Sequence, residues 1–189
     1  AIWSVFANYS LKVGSLSVNA GLRWQNEHNR YELDGVRNDE MSPNYHVLIP
    51  RLSISYQHSL WTHSLSYQCT RNNPPYSILS SAVTYTSEYE YNSGNPFLQP
   101  QTNHRVAWKS QWKWIYAEAI YGYQENVYHS IRSTYDDVDH PGAILTDFRT
   151  VPKTQYYMIV LNATPKIGIW QMNYSVEFAV QDHDYGELG

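Results

Sequence analysis

The sequence predicts an all-β protein, an antiparallel up-and-down meander of about eight strands. Three observations carry this. Apolar residues recur at every second position in run after run, the connections between runs alternate short and long, and tryptophans cluster near the ends of the runs.

The first run, "AIWSVFANYSL", sets Trp3, Val5, Ala7, Tyr9 and Leu11 on one face and Ser4, Asn8 and Ser10 on the other, with Phe6 as the exception. Period two over this length is a half-buried strand, here over 2–12. "KVGS" has the Gly-Ser of a tight hairpin turn. The second strand, 15–31, follows with Leu16, Val18, Ala20, Leu22 and Trp24 against Ser17, Asn19, Gly21, Arg23 and Gln25. A third, 45–58, alternates Leu52, Ile54 and Tyr56 with Ser53, Ser55 and Gln57. Pro50 lacks a ladder N–H, so it belongs near the rim of the sheet or at a bulge. Leu65, Tyr67 and Cys69 against Ser64, Ser66 and Gln68 mark the fourth strand, 62–72. Further runs cover 102–113, 116–132 and 151–164. The last, 168–182, sets Met172, Tyr174, Val176, Phe178 and Val180 against Gln171, Asn173, Ser175 and Glu177.

Between the strands lie a turn at Gly14, a loop at 32–44, a turn near 59–61, a loop at 73–101, a turn near Trp114, a loop at 133–150 and a turn at 165–168. In a meander this alternation gathers every long loop at one end. Transmembrane β-barrels are built so, with an apolar-out, polar-in dyad and aromatic girdles at both interfaces. Trp61, Trp114 and Trp170 sit at the short turns, while Trp3 and Trp24 lie about ten residues away at the other end of their strands, which is the spacing of two lipid-facing girdles. The strands therefore read as part of a transmembrane β-barrel with the lipid bilayer as one partner.

Composition agrees. Mean hydropathy is -0.55 although 42% of residues are hydrophobic, because 18 Tyr and 7 Trp against 4 Phe give the large side chains polar tips. No apolar segment reaches the roughly 18 residues of a membrane helix, and no charged-then-apolar leader opens the chain. The net charge of -4, without a basic stripe, argues against nucleic acid as a partner. Cys69 is the single cysteine, which excludes an intrachain disulfide and a multi-cysteine metal site.

Three pieces resemble the barrel of TonB-dependent outer-membrane receptors, the outer membrane protein beta-barrel family: "AGLRWQ" from Ala20, "LIPRLSISYQ" from Leu48, and "GNPFLQPQ" from Gly94. The Gly94, Asn95, Pro96, Leu98 and Pro100 corner is the most specific of them. Pro96 and Pro100 each fix a backbone angle, and Gly94 is read as supplying a conformation that other residues resist. The corner is thus a stiff architectural bracket leading from a long loop into the wall. Gln25 stands where the family usually has Glu, and "QCTRNNPPYS" keeps only Arg71 and the prolines of an Arg-rich family stretch. The resemblance implies an energy-coupled importer of a scarce nutrient, of siderophore, cobalamin or glycan class, in the outer membrane of a Gram-negative bacterium. It also implies partners: a plug domain, the remainder of the barrel, and TonB through an N-terminal part. Residues 1–189 hold neither plug nor TonB-contacting segment and end at "YGELG", so the whole chain is read as one partial barrel domain of a larger receptor.

Motifs for chemistry are sparse. There is no G-x-S-x-G, H-E-x-x-H or phosphate-cradling glycine loop, so no enzyme, catalytic residue, metal or cofactor is expected. Asp136, Asp137, Asp139 and His140 offer oxygen ligands for Ca²⁺ but lack the glycine and distal glutamate of an EF-hand loop, and read as a solvated loop. His58 and His63 flank a turn at no zinc spacing and read as interfacial. Tyr85, Tyr89, Tyr91 and Phe97 crowd the longest loop, where they either stack on a ligand or pack on one another. Two alternatives stay open: a small free-standing outer-membrane barrel, whose enzymatic version needs Ser or Asp with His at one rim, and a soluble carbohydrate-binding β-domain.

Overall fold

The structure, a computed structural model, describes residues 2–30, 32–33, 35–39, 42–137 and 140–184. Eight long strands dominate. They are β1 (Ile2–Val13), β2 (Leu16–His28), β5 (Asn44–His58), β6 (Trp61–Asn72), β9 (Gln101–Trp112), β10 (Ile115–Asp137), β11 (His140–Ala163) and β14 (Tyr174–Asp184). Short strands fill the connections: β3 (Glu32–Leu33) with β4 (Val36–Arg37), β7 (Thr84–Ser87) with β8 (Glu90–Asn92), and β12 (Lys166–Ile167) with β13 (Trp170–Gln171). Each long strand pairs with the next long strand in sequence, which is the predicted meander. Among the described residues the sole helical element is a 3-10 turn, Tyr76–Ile78.

Residues 133–150 are not the loop that their sequence suggests. β10 runs on to Asp137 and β11 starts at His140, making strands of 23 and 24 residues. The 133–150 stretch keeps no sustained alternation of apolar and polar residues and sets Pro141 and Gly142 beside Asp136, Asp137 and Asp139, which reads as a loop. The final strand also starts later than expected: 164–173 holds the β12–β13 hairpin, and β14 begins at Tyr174.

Contacts divide the chain into two compact units. The first comprises Ala1–Thr70, Asn103–Tyr123 and Gln155–Asp182. Its registers sort the side chains cleanly. Tyr9 opposes Ala20, and Ala20 opposes Leu52, on the apolar face, while Ser10 opposes Asn19, and Asn19 opposes Ser53, on the polar one. The apolar face is bare: Val5, Leu22, Leu65, Leu161, Val176 and Phe178 are all exposed, with Phe178 at 62%. Its two-residue turns place Gly14, Ser59 and Lys113 at φ of 57°, 52° and 49°, so Ser59 and Lys113 adopt the left-handed conformation that glycine adopts without steric penalty. Pro50 opposes Leu22 on β2, and the ladder to β6 starts one residue later, at Arg51 with Gln68. Its missing N–H thus falls at the end of that ladder, as expected of a strand proline.

The second unit comprises Arg71–Thr102, Gln124–Thr154 and His183–Gly189. Leu98, Ala143 and Val151 are its buried apolar residues, and Thr154 is buried too, its Oγ1 3.1 Å from His183 Nδ1. β8 adds to β11 in parallel, Glu90 to Asn92 against Ile144 to Thr146. That three-residue ladder joins the long connection between β6 and β9 to β11.

Candidate functional site

The Gly-Asn-Pro corner is built from hydrogen bonds rather than from an unusual backbone. Gly94 donates its N–H to the Ser80 carbonyl at 2.8 Å, and Asn95 donates to the Ile78 carbonyl at 2.7 Å. A Cβ on Gly94 would lie 2.5 Å from the Ser80 oxygen, and its φ is not in the left-handed region. The expectation of a special conformation at Gly94 is corrected accordingly: the position needs glycine for close approach of two chains. Asn95 then works twice. Its Oδ1 accepts the Phe97 N–H at 2.9 Å, closing an Asx turn, and its Nδ2 donates to the Phe148 carbonyl at 2.9 Å. Beyond Pro96, half-buried, the chain buries Leu98 and Pro100 and enters β9 at Gln101.

The four loop aromatics do not converge. Tyr91 packs on Tyr85, ring centroids 5.9 Å apart, and on Tyr135 at 4.9 Å. Tyr85, Tyr89 and Phe97 are exposed, as is Tyr76, which the sequence reading passed over. Of the acidic cluster, Asp139 lies outside the described residues, and so do the side chains of Asp136, Asp137 and His140. Among the described residues no group of His, Cys, Asp and Glu is arranged to hold a metal ion.

The predicted girdle tryptophans are all exposed. Trp3 and Trp24 meet edge to face at 4.8 Å, and Trp24 stacks on His46. Trp61 stacks on Trp112 at 5.5 Å and on His63, which in turn stacks on Trp108. His58 stacks on Tyr56. Trp114 lies in the two-residue turn between β9 and β10, where its carbonyl accepts the Thr164 N–H, and Trp170 lies in β13.

On the polar face, Glu118 accepts from Arg105 at 3.0 Å and from the Tyr116 hydroxyl, with Lys109 at 3.6 Å. Two strands away, Arg51 lies flat across Gly21 and donates to Asn8 Oδ1. Both clusters escaped the sequence reading because their members are 13 and 43 residues apart in the chain. A charged residue at the polar position of a barrel strand was the available signal.

Comparison with known proteins decides the family. The outer membrane protein beta-barrel family matches residues 1–187. The chain belongs to that family. It is an outer-membrane β-barrel chain of a Gram-negative bacterium, and its structural neighbours are receptors and transporters rather than enzymes. The ferric enterobactin receptor PfeA of Pseudomonas aeruginosa is similar at a TM-score of 0.64 and 16% identity, over 94% of this chain and 27% of that one. Copper transporter OprC is similar at 0.71 and 11% identity, over 96% and 29%. The FrpB iron transporter from Neisseria meningitidis gives 0.59 and 13%, over 97% and 27%. At such identities the likeness is one of fold. The chain spans little more than a quarter of the length of these neighbours. No curated protein sequence matches it.

Proposed function

We propose that residues 1–189 are a segment of the barrel wall of a TonB-dependent receptor that imports a scarce nutrient of siderophore, cobalamin or glycan class. The observation that carries this reading is the two-faced sheet of the first unit: an uncovered apolar face backed by a polar one on sequentially paired strands. A bare apolar sheet face is costly in water and at rest in lipid. In this reading the apolar face meets the bilayer, the tryptophans hold its two interfaces, and the polar face looks into a lumen that a plug domain fills. The remainder of the barrel closes the sheet, and TonB acts through the plug. Tyr85, Tyr89 and Phe97, exposed on the long connection, are the residues proposed to meet ligand, whereas Tyr91 holds the β7–β8 hairpin against Tyr135.

The test is growth on a sole limiting nutrient. A strain carrying the full-length protein is compared with strains lacking it, lacking TonB, or carrying Tyr85→Ala and Phe97→Ala. Import that depends on both the protein and TonB supports the reading. Growth indifferent to TonB contradicts it.

A further inference from the structure

We propose that the short-turn end of the apolar face binds the phosphate headgroup of an anionic glycerophospholipid, with Lys113 and Lys166 as its cations and the stacked indoles of Trp61 and Trp112 as its floor. The proposal rests on the reading above in that this face meets lipid. Charge is segregated along the strands. No Asp or Glu occurs in 1–26, 41–87, 91–117 or 148–176, so the short connections 14–15, 59–60, 113–114 and 164–173 all lie in acid-free stretches. Lys12, Lys113 and Lys166 stand at or beside them, with His58 and His63 at the turn that has no lysine. The carboxylates nearest to these turns are directed elsewhere: Glu118 is bonded to Arg105 with Lys109 close by, and Glu177 falls on the face of β14 opposite to Val176 and Phe178. One end of the strands is therefore cationic.

The aromatic contacts show which side Lys113 takes. Trp61 shares a face of β6 with Leu65, on the bare apolar side. Trp112 stacks on Trp61 at 5.5 Å, and the Lys113 ammonium lies over the Trp112 ring, 5.1 Å from its centroid. Lys113 thus sends its charge along the apolar face and not into the polar one. An ammonium held over an indole is attracted by the ring and still has N–H donors to give. The Trp114 carbonyl accepts the Thr164 N–H at 2.9 Å, which ties the connection that carries β12 and β13 to this turn. There Lys166 stands beside exposed Ile167, Ile169 and Trp170, with Ile169 at 92%. Among the described residues neither Lys113 nor Lys166 has a carboxylate partner.

Depth and charge together select the ligand. Girdle tryptophans lie at headgroup level, and the short turns of an outer-membrane barrel face the periplasm, so the group met at the height of Lys113 is a lipid phosphate. A zwitterionic headgroup answers its phosphate with an ammonium of its own. Phosphatidylglycerol has none and leaves the phosphate to the lysines. Cations next to an apolar anchor at a membrane surface favour anionic lipid for this reason. A free anion would satisfy the lysines but leave the indoles and Ile169 uncovered. The occupant is therefore an anionic phospholipid of the leaflet at the short-turn end, its phosphate on Lys113 and Lys166 and its glycerol and upper acyl carbons on the indoles.

Photolabelling tests this in the full-length protein folded into phosphatidylethanolamine bilayers. Two probes are compared, phosphatidylglycerol and phosphatidylethanolamine, each with a diazirine near the glycerol end of one acyl chain, and peptide mass spectrometry measures adducts on 105–117 and 164–173. The phosphatidylglycerol probe is expected to label these peptides in excess over the other. Lys113→Gln should cut that excess about fivefold, the effect of one lysine near an anionic surface, and Lys113→Arg should retain it. Should Lys113→Gln fail to fold, Lys166→Gln makes the same comparison on the neighbouring connection. Equal labelling by the two probes in the parent overturns the proposal, and so does an excess that survives the loss of the lysine. Loss of the excess on adding inorganic phosphate at constant ionic strength also overturns it, since the site would then be one for a free anion. Failure of the barrel reading looks different: neither probe would label these peptides, and something other than lipid would cover the patch.

Discussion

Asn95 gives its side-chain amide to the backbone carbonyl of Phe148, 2.9 Å away and 53 residues further along the chain. That bond ties the corner before β9 to the middle of β11, so the "GNPFLQP" stretch is a clasp as well as a bend. Removing the amide leaves a carbonyl without its donor, at a cost of about 1 kcal/mol. Asn95→Ala is expected to lower stability by that order. Gly94→Ala should cost about 1–3 kcal/mol, because the new methyl meets the Ile78 and Ser80 carbonyls. Denaturant unfolding in detergent reads both, and limited proteolysis of 73–100 should quicken in each. Two variants indistinguishable from the parent would show that the corner holds nothing.

The short turns give a prediction of opposite sign. Ser59 and Lys113 sit at positive φ, a strain of about 1–2 kcal/mol for an L-residue. Part of the relief is cancelled by the greater freedom of glycine in the unfolded chain. Lys113→Gly and Ser59→Gly should therefore stabilise by up to about 1 kcal/mol, and Gly14→Ala should destabilise by a similar amount. Thermal unfolding in detergent compares them, and a loss of stability in Lys113→Gly would count against the turn geometry.

Gly122 and Tyr156 form a third relationship open to test. The Tyr156 ring covers Gly122 so closely that a Cβ there would overlap it. Gly122→Ala should cost about 1–3 kcal/mol in the parent and close to nothing in a Tyr156→Ala background. A full cost in both backgrounds would mean that the glycine serves some other purpose.

The girdle assignment predicts where the tryptophans lie in depth. In single-tryptophan variants with the other six changed to Phe, emission of Trp3, Trp24, Trp61, Trp114 and Trp170 should be quenched most by lipids brominated near the headgroup. Strongest quenching by lipids brominated at the chain ends would remove those residues from the interfaces.

Strand existence was legible wherever one face meets an apolar medium. From Trp3 to Leu11 and from Leu16 to Trp24 the alternation follows from burial of one side only, and the observed registers keep those residues on one face. The stretch 133–150 was illegible because it keeps no such alternation, and Pro141 and Gly142 beside Asp136, Asp137 and Asp139 mimic a loop. Parallel pairing of Glu90 to Asn92 with β11 leaves no local signature, because its partner lies more than fifty residues away. At the corner the residue types pointed to a bend, but Gly94 answers to carbonyls at Ile78 and Ser80 that the local stretch does not contain. The loop aromatics were visible as a set, yet only a tertiary contact, Tyr91 on Tyr135, separates the one that packs from those that stay exposed.

The central claim is that one face of this sheet meets lipid. Ala20 and Asn19 are adjacent on β2, the first between Tyr9 and Leu52 and the second between Ser10 and Ser53. The measurement is denaturant titration of the full-length protein folded into bilayers, for Ala20→Arg and Asn19→Arg in parallel. A cation at the midplane of a barrel's outer face costs about 2–4 kcal/mol, whereas a polar lumen accepts it at little cost. Ala20→Arg is predicted to lose stability in that range and Asn19→Arg to stay within about 0.5 kcal/mol of the parent. Equal costs, or a greater cost for Asn19→Arg, would contradict the assignment of faces and with it the membrane reading of the chain.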